Sequence, residues 1–286
     1  MLDFITWTAN PEIIHSFVTV RWYGVAFAIG FWLGYEIMYR MFKHEGAPES
    51  WLGSLFVYVV VATIIGARLG HVFFYEWPYY SAHPAEIFKI WEGGLASHGG
   101  TIGIIIAIFI YSKCVTHKNP LWTFDRLVVP VALVGALIRL GNLMNHEIYG
   151  HVTDMPWGFR FVTNLHAWMN GAAPIFSAPS HPTQIYESLC YLLLFGVLLY
   201  MYWAKNSEER PGLIFGVFLT WLFTGRFLIE FLKNDQVAFE ETMALNMGQW
   251  LSVPFVILGI VLIWYAMTHP RQHISFPNKF PEPKKK

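Results

Sequence analysis

The feature that most constrains this chain is a series of seven long apolar stretches separated by short polar segments. They lie near residues 22–41, 51–74, 95–114, 122–146, 183–204, 211–232 and 248–268. A helix that crosses the hydrocarbon core of a bilayer needs about 20 residues, each rising about 1.5 Å. Charged residues make up 13% of the 286 residues, about half their share in a soluble domain. The sequence therefore predicts an all-α integral membrane protein with seven transmembrane helices.

The polar segments predict a single membrane domain, 1–286, with a small outer cap. The longest segment, 147–182, is rich in glycine, proline and aromatic residues, and 269–286 forms a lysine-rich tail. Most lysine and arginine residues outside the spans fall on the side of that tail. The exceptions are Arg21, Lys89, Arg160 and Lys233. Because the richer side is cytoplasmic in membrane proteins, we expect an outer N-terminus and a cytoplasmic C-terminus.

Charge and cysteine content exclude several functional classes. The formal net charge of zero argues against a nucleic-acid partner, which usually requires a strongly basic face. The two cysteines, Cys114 and Cys190, lie far apart and have no metal-binding spacing. No zinc-protease motif, aspartate-rich motif or nucleophile elbow is present. We therefore expect neither a metal site nor a serine hydrolase.

A polar cluster at the end of the fourth apolar stretch is the strongest functional signal. It begins at Arg139 and reads RLGNLMNHEIYG. A full charge in hydrocarbon costs at least about 2.5–3.5 kcal/mol, so such a residue predicts a functional site. On a helix Arg139, Asn142 and His146 share one face, and the guanidinium fork matches a phosphate or carboxylate. The alternative is that Arg139 only pairs with a buried carboxylate such as Glu147 or Glu230.

Two further groups stand at the starts of the first and third spans. Tyr23 lies in the sequence RWYG, where an aromatic anchor at the membrane interface is the simpler interpretation. His98 lies in the glycine-rich segment 93–103, which permits tight turns and close backbone approach. A histidine there can exchange a proton near neutral pH. The alternative for His98 is a structural role in a helix-packing motif.

Arginines inside the second and sixth spans complete the set of candidates. Arg226 and Glu230 are four residues apart and could pair with each other. Because buried charges are normally paired, that pair is the main alternative to a ligand role for Arg226. For Arg68 in the second span, a structural role is at least as well supported as a ligand role.

Basic groups on several helices thus face one side of the membrane, which indicates an anionic lipid headgroup as ligand. A transporter or flippase for an anion is the alternative from another class. Transporters of this kind place their sites near the midplane on broken helices, and no internal repeat is visible here. A scaffold held together by buried ion pairs is a third interpretation, but it leaves the glycine-flanked His98 unexplained.

The motifs resemble those of the prolipoprotein diacylglyceryl transferase family of bacterial membrane enzymes. The resemblance runs from Trp22-Tyr23-Gly24 to the segment 247–254, nearly the whole chain. Its most specific part is Arg139-Leu140-Gly141-Asn142 with Asn145, Glu147 and Gly150. The remaining motifs follow in the family's order: Trp91-x-Gly93-Gly94 with His98-Gly99-Gly100 and Gly103, His181-Pro182-x-Gln184-x-Tyr186-Glu187, and Arg226-x-x-x-Glu230.

The resemblance implies a seven-helix fold and a reaction at the outer leaflet of the bacterial cytoplasmic (inner) membrane. The implied lipid substrate is phosphatidylglycerol, which donates its diacylglyceryl group. The implied acceptor is the lipobox cysteine of a prolipoprotein, whose thiol forms a thioether as glycerol phosphate is released. This is the first step of bacterial lipoprotein maturation. The lipid bilayer is a further partner, and no cofactor, metal or nucleotide is implied.

Resemblance and residue type together suggest roles for individual side chains. The expected catalytic residues are His98 as general base, Arg139 and Arg226 as a phosphate clamp, and Glu147. The expected substrate-binding residues are Tyr23, Arg139, Asn142, Asn145, Gly150, Arg226 and Glu230. Glu147 and Glu230 are expected to orient the two arginines.

Three positions depart from the family pattern. Leu222 replaces a tyrosine that often stands four residues before the arginine of the sixth span, so no hydroxyl is available there. His146 and Thr101 replace residues that are often glycine and leucine. We expect these two replacements to be tolerated.

Overall fold

A computed structural model describes residues 4–14, 19–234, 245–272 and 276, and the predicted class of helical membrane protein is confirmed. The helices are α1 (Trp22–Glu45), α2 (Glu49–Phe74), α3 (Trp77–Ala82), α4 (Ser97–Tyr111), α5 (Pro120–Met144), α6 (Leu165–Met169), α7 (Thr183–Lys205), α8 (Leu213–Glu230) and α9 (Met247–Thr268). The short strands are β1 (Ile5–Thr6), β2 (Glu12–Ile14), β3 (Val20–Arg21) and β4 (Phe159–Arg160). Most of the predicted tail, 269–286, lies outside the described residues.

Six helices within the described ranges are long and apolar enough to cross a membrane. They are α2, α4 together with the π-helical turn Ser112–Thr116, α5, α7, α8 and α9. Helix α1 covers the first predicted span, but its tryptophan, tyrosine and glycine residues lower its mean hydropathy. The chain is therefore a multi-pass membrane protein, and the seventh span stays a prediction.

Two compact units make up the chain. The first comprises Met1–Ile37 and Asp125–Gln272, and the second comprises Met38–Phe124 and His273–Lys286. The first unit therefore holds α6 to α9, most of α5 and the short strands. The second unit holds α2, α3 and α4.

In the second unit, α2 and α4 pack closely along small residues. A Cβ atom on Gly66 would lie 2.5 Å from the carbonyl oxygen of Gly99, and one on Gly103 would lie 2.5 Å from that of Ala62. Small residues let helix backbones approach each other in a membrane, where van der Waals packing drives association. Part of the glycine-rich segment 93–103 therefore serves helix packing.

In the first unit, short strands join the N-terminal arm to the segment that follows α5. β1 pairs in parallel with β4, so that Ile5 lies opposite Phe159, and β2 pairs antiparallel with β3. A buried cluster beside β4 consists of Leu143, Phe159 and Phe161, against which Trp7, Tyr149 and Ile185 pack. This cluster joins the end of α5 to the start of α7 and so places the polar residues that follow α5.

Candidate active site

Arg139 lies near the end of α5 and is held by two polar partners, Glu187 and Asn142. Its Nε atom lies 3.0 Å from Oε2 of Glu187, and its Nη1 atom donates to Oδ1 of Asn142 at 3.3 Å. A guanidinium has five N–H donors, so donors remain beyond these two contacts. Because the Arg139 side chain is 18% exposed, a ligand can reach those donors.

Glu187 on α7, rather than the expected Glu147 or Glu230, is the carboxylate that holds Arg139. Its side chain is fully buried, and its Oε1 atom accepts a hydrogen bond from Nζ of Lys233 at 2.9 Å. Glu187 thus bridges two cations, as burial of charge requires. It is the only acidic residue of the predicted span 183–204, which is the signal that could have identified it.

Lys233 is buried, although the sequence placed it with the charges of the outer loops. Its side chain is 4% exposed, and its Nζ atom lies 3.5 Å from Oε2 of Glu230 in addition to its bond with Glu187. Lys233 lies three residues after the end of α8, in a stretch of sequence that is as polar as a typical loop. Burial results from the two carboxylates, which belong to different helices.

Arg226 lies one turn before Glu230 on α8 but does not pair with it. Among the residues that the structure describes, no hydrogen bond or ion pair involves Arg226. The alternative of an Arg226–Glu230 pair is therefore not formed in the described part of the chain.

Glu147 orients Arg139 through an amide relay. Its Oε1 atom accepts hydrogen bonds from Nδ2 of Asn142 at 2.8 Å and from Nδ2 of Asn145 at 3.2 Å. Because its Nδ2 group is held by Glu147, Asn142 presents Oδ1 to Arg139. The backbone carbonyl of Glu147 accepts a further bond from Nε2 of Gln184 at 2.6 Å. The structure thus brings Arg139, both predicted asparagines and Glu147 together.

His146 does not face the ligand side, because α5 ends at Met144. It adopts the left-handed backbone conformation, with φ of 55°, and is buried. Its Nδ1 atom accepts from the N–H of Val162 at 3.1 Å, while Nε2 donates to the carbonyl of Ala9 at 2.9 Å. Burial lowers the pKa of this imidazole, although the bond to Ala9 acts in the opposite direction. The uncharged His146 side chain therefore connects the N-terminal arm to the segment after α5 through its two hydrogen bonds.

Gly150 is placed by close packing rather than by a polar contact to Arg139. A Cβ atom on this residue would overlap the carbonyl oxygen of Leu232, and its N–H donates to the carbonyl of His181 at 2.9 Å. Its own carbonyl accepts from Nδ2 of Asn234 at 3.1 Å. Gly150 therefore joins the segment before α7 to the segment after α8.

Two tyrosines lie against α5. Tyr23 on α1 packs over Gly141, and its hydroxyl interacts electrostatically with Glu147 and Arg139. Tyr191 on α7 is buried, and its ring lies against Gly135, one turn before Arg139. Sequence reasoning missed Tyr191, since a tyrosine inside an apolar helix carries no distinctive pattern.

His98 and Arg68 belong to the second unit and are described within it. The exposed His98 ring lies against Phe74 and Tyr75, with centroid distances of 5.5 and 5.6 Å, and no described residue hydrogen-bonds with this ring. Arg68 is 4% exposed, and its donors are occupied by four backbone carbonyls within 86–94. Arg68 therefore has the structural role, and the His98 ring is exposed on the surface of the second unit.

The junction of α5, α7 and α8 has the chemistry of an anion site. Arg139 is anchored on Glu187 and Asn142 and keeps further N–H donors for a ligand. Arginine forks bind phosphate through paired, charge-assisted hydrogen bonds. Donors fixed in advance need no reorganisation as charge develops on a leaving group. The site is therefore suited to a phosphate whose charge increases during a reaction.

Comparison with known proteins identifies the family. A family model described as prolipoprotein diacylglyceryl transferase matches residues 11–265. The phosphatidylglycerol–prolipoprotein diacylglyceryl transferase of Porphyromonas gingivalis is 51% identical over 274 residues, which cover 93% of this chain and 96% of that protein. Proteins of the same name from Chloroherpeton thalassium and Tolumonas auensis are 44% and 46% identical, covering 93% and 90% of this chain and 95% of each relative. The chain therefore belongs to the prolipoprotein diacylglyceryl transferase family.

Proposed function

We propose that the protein transfers the diacylglyceryl group of phosphatidylglycerol to the lipobox cysteine of prolipoproteins. The thiol sulfur forms a bond to the glycerol carbon as the bond from that carbon to the phosphate oxygen breaks. The products are a thioether and glycerol phosphate. The observation that carries the proposal is the 51% identity with a relative of that name over nearly the full length of both chains.

Arg139 and Arg226 are the proposed phosphate clamp. The N–H groups of Arg139 that Glu187 and Asn142 do not hold bind the phosphate of the lipid, and the fork of Arg226 stabilises the charge that the leaving glycerol phosphate acquires. Asn142 and Glu147 hold Arg139 in its orientation through the amide relay. Such fixed donors in a dry site often lower the reaction barrier more than any other single effect.

His98 is the proposed general base. A cysteine thiol has a reference pKa of about 8.5, so it must lose its proton to become a good nucleophile. The proton leaves the lipobox thiol for the imidazole of His98 as the sulfur attacks the glycerol carbon. A positioned base of this kind typically contributes about 10²–10⁴-fold to the rate.

The other predicted binding residues have supporting roles in this proposal. Tyr23 donates a hydrogen bond to the lipid headgroup, and Asn145 holds Glu147 in place. Glu230 keeps Lys233 paired at the site's edge. Gly150 allows the close backbone contact with Leu232 that lies next to Lys233.

We also propose the location of the reaction. The protein resides in the bacterial cytoplasmic (inner) membrane, with the N-terminus outside and the C-terminus in the cytoplasm. The distribution of lysine and arginine supports this orientation. Transfer then takes place at the outer leaflet, where phosphatidylglycerol enters from the bilayer and the prolipoprotein from outside.

The test uses purified protein in detergent with phosphatidylglycerol and a synthetic lipobox peptide. Mass spectrometry is expected to detect a diacylglyceryl adduct on the peptide cysteine, together with released glycerol phosphate. Arg139→Ala abolishes the adduct, and Arg139→Lys restores it only in part because the fork is lost. The matched control is Arg271→Ala, which removes an exposed arginine that pairs with Glu209 at 3.5 Å.

Two outcomes would contradict the proposal. Absence of an adduct from folded wild-type protein that binds the lipid would favour transport of an anion, which a liposome flux assay then measures. Normal turnover by Arg139→Ala would exclude the phosphate clamp.

For His98, the expected result is that His98→Gln binds phosphatidylglycerol but loses most turnover, and near-normal turnover would remove this residue from the mechanism.

A further inference from the structure

Four alternating charges form a continuous chain that begins at Arg139. Nε of Arg139 lies 3.0 Å from Oε2 of Glu187, and Oε1 of the same carboxylate accepts a hydrogen bond from Nζ of Lys233 at 2.9 Å. Nζ of Lys233 in turn lies 3.5 Å from Oε2 of Glu230. Each oxygen of Glu187 therefore has its own cation, and Lys233 stands between two carboxylates.

Burial differs along this charge chain. The Glu187 side chain is fully buried and those of Lys233 and Glu230 are nearly so, whereas Arg139 is partly exposed. Arg139 is thus the member that a ligand can touch. Solvent and salt screen buried charges much less than they screen charges at a protein surface. An anion bound to Arg139 is therefore affected by any change of charge at the three buried members.

Lys233 balances the charge of the chain. With Lys233 in place, two cations and two carboxylates sum to zero. Without Lys233, Arg139 would face both carboxylates, and the chain would carry one net negative charge. A phosphate would then be attracted by Arg139 but repelled by the excess charge next to it. Glu187 would also draw the guanidinium more strongly, since Arg139 and Lys233 are the two cations that it contacts among the described residues.

We infer that Lys233 is a positioning residue for the proposed transfer. It holds one oxygen of Glu187, so that this carboxylate anchors Arg139 without cancelling the attraction of Arg139 for the lipid phosphate. The inference rests on the proposed function. Lys233 acts through Glu187 and Arg139 and does not contact the reacting atoms.

Lys233→Met tests this role because methionine is a long side chain without a charge. The excess negative charge raises KM for phosphatidylglycerol, and kcat falls because the leaving phosphate is stabilised less well. A lost hydrogen bond to a charged group corresponds to about tenfold to a hundredfold, which is the expected decrease in kcat/KM. Lys233→Arg keeps the charge and should retain kinetics close to those of the wild type. Lys205→Met is the matched control, since it removes an exposed lysine at the end of α7.

A double variant separates the effect of charge from a loss of packing. Glu187→Gln/Lys233→Met removes one negative and one positive charge, so the chain is neutral again. We expect its KM to return toward the wild-type value, whereas kcat stays low because Glu187 no longer orients Arg139. A merely structural role of Lys233 predicts no such recovery, because the double variant loses more contacts than the single one.

The measurement is kcat and KM for adduct formation with phosphatidylglycerol and a lipobox peptide, together with thermal unfolding of each variant. Wild-type KM in folded Lys233→Met would overturn the inference. It would also be overturned if Lys233→Arg were as impaired as Lys233→Met, or if the double variant kept the raised KM. An inactive wild-type protein would instead refute the proposed function.

A further variant keeps the inference testable if Lys233→Met does not fold. The amide of Lys233→Gln can still donate a hydrogen bond to Glu187 but carries no charge. A raised KM in this variant supports the role of the charge, and a wild-type KM overturns it.

Discussion

Replacement of Glu187 by glutamine is expected to destabilise the protein strongly. The carboxylate is fully buried, with Arg139 at 3.0 Å and Lys233 at 2.9 Å on its two oxygens. Glutamine has nearly the same shape but no charge, and its amide has an NH₂ group in place of one carboxylate oxygen. That NH₂ group must face one of the two cations. Removal of one partner from a buried ion pair costs about 3–5 kcal/mol. Lys233 keeps its contact with Glu230 at 3.5 Å, and Arg139 is 18% exposed, so part of this cost is offset. We therefore expect a loss of about 3 kcal/mol, the lower end of that range, in the free energy of unfolding.

The assay is denaturant-induced unfolding of the purified protein in mixed micelles, monitored by tryptophan fluorescence. Arg271→Gln is the control, because its exposed ion pair with Glu209 at 3.5 Å is of a type worth about 0.2–1 kcal/mol. The double variant Glu187→Gln/Lys233→Met removes a negative and a positive charge together. We expect it to be less destabilised than the sum of the single variants, with a coupling of about 0.5–3 kcal/mol.

Two results would refute this reasoning. A cost below about 0.5 kcal/mol for Glu187→Gln, the range of ordinary surface substitutions, would mean that the carboxylate is not ionised between the two cations. Additive effects of the Glu187 and Lys233 variants would mean that the two side chains do not interact in the folded protein.

Three further predictions concern other contacts within each unit. Gly150→Ala should prevent correct folding because its Cβ would overlap a backbone carbonyl. The control Gly196→Ala meets nothing within 4 Å and should be neutral or stabilising by up to about 1 kcal/mol. The yield of folded protein, measured by size exclusion, compares the two variants. Arg68→Lys should expose the segment 86–94 to proteolysis, since a lysine cannot satisfy carbonyls in four directions; an unchanged cleavage rate would contradict this. Burial lowers the pKa of His146 below its unfolded value of about 6.5, so the unfolded state binds the proton at a higher pH than the folded state does. The stability that this residue contributes is therefore present above about pH 6.5 and is lost as the pH falls through the folded pKa. Thermal unfolding between about pH 8 and pH 5 should therefore show a smaller loss for His146→Gln than for the wild type, with exposed His166→Gln behaving as the wild type.

Several features of the site followed from patterns within the chain. Arg139, Asn142, Asn145 and Glu147 are close in sequence at the end of one helix, so their proximity in space is a local property. The cost of charge in hydrocarbon marked Arg139 and Arg226 as candidates for ligand contact. The motifs that carried the family resemblance are also local, and the comparisons bear that resemblance out.

The partners of those charges could not be read from the sequence. Glu147, Glu187 and Glu230 were all plausible partners for Arg139, and the choice depends on how α5, α7 and α8 are rotated about their axes. Lys233 has a loop-like neighbourhood in sequence and is buried only because two carboxylates from different helices surround it. His146 left the expected face because the chain turns into the left-handed conformation after Met144.

The sequence by itself determined the membrane class and the family, because hydropathy, charge and motifs are properties of short segments. Tertiary structure alone decided which carboxylate anchors Arg139. That contact joins residues 48 positions apart in the chain. A contact of that kind depends on the packing of two helices, and side-chain pairing across such an interface leaves no periodic signal in either helix.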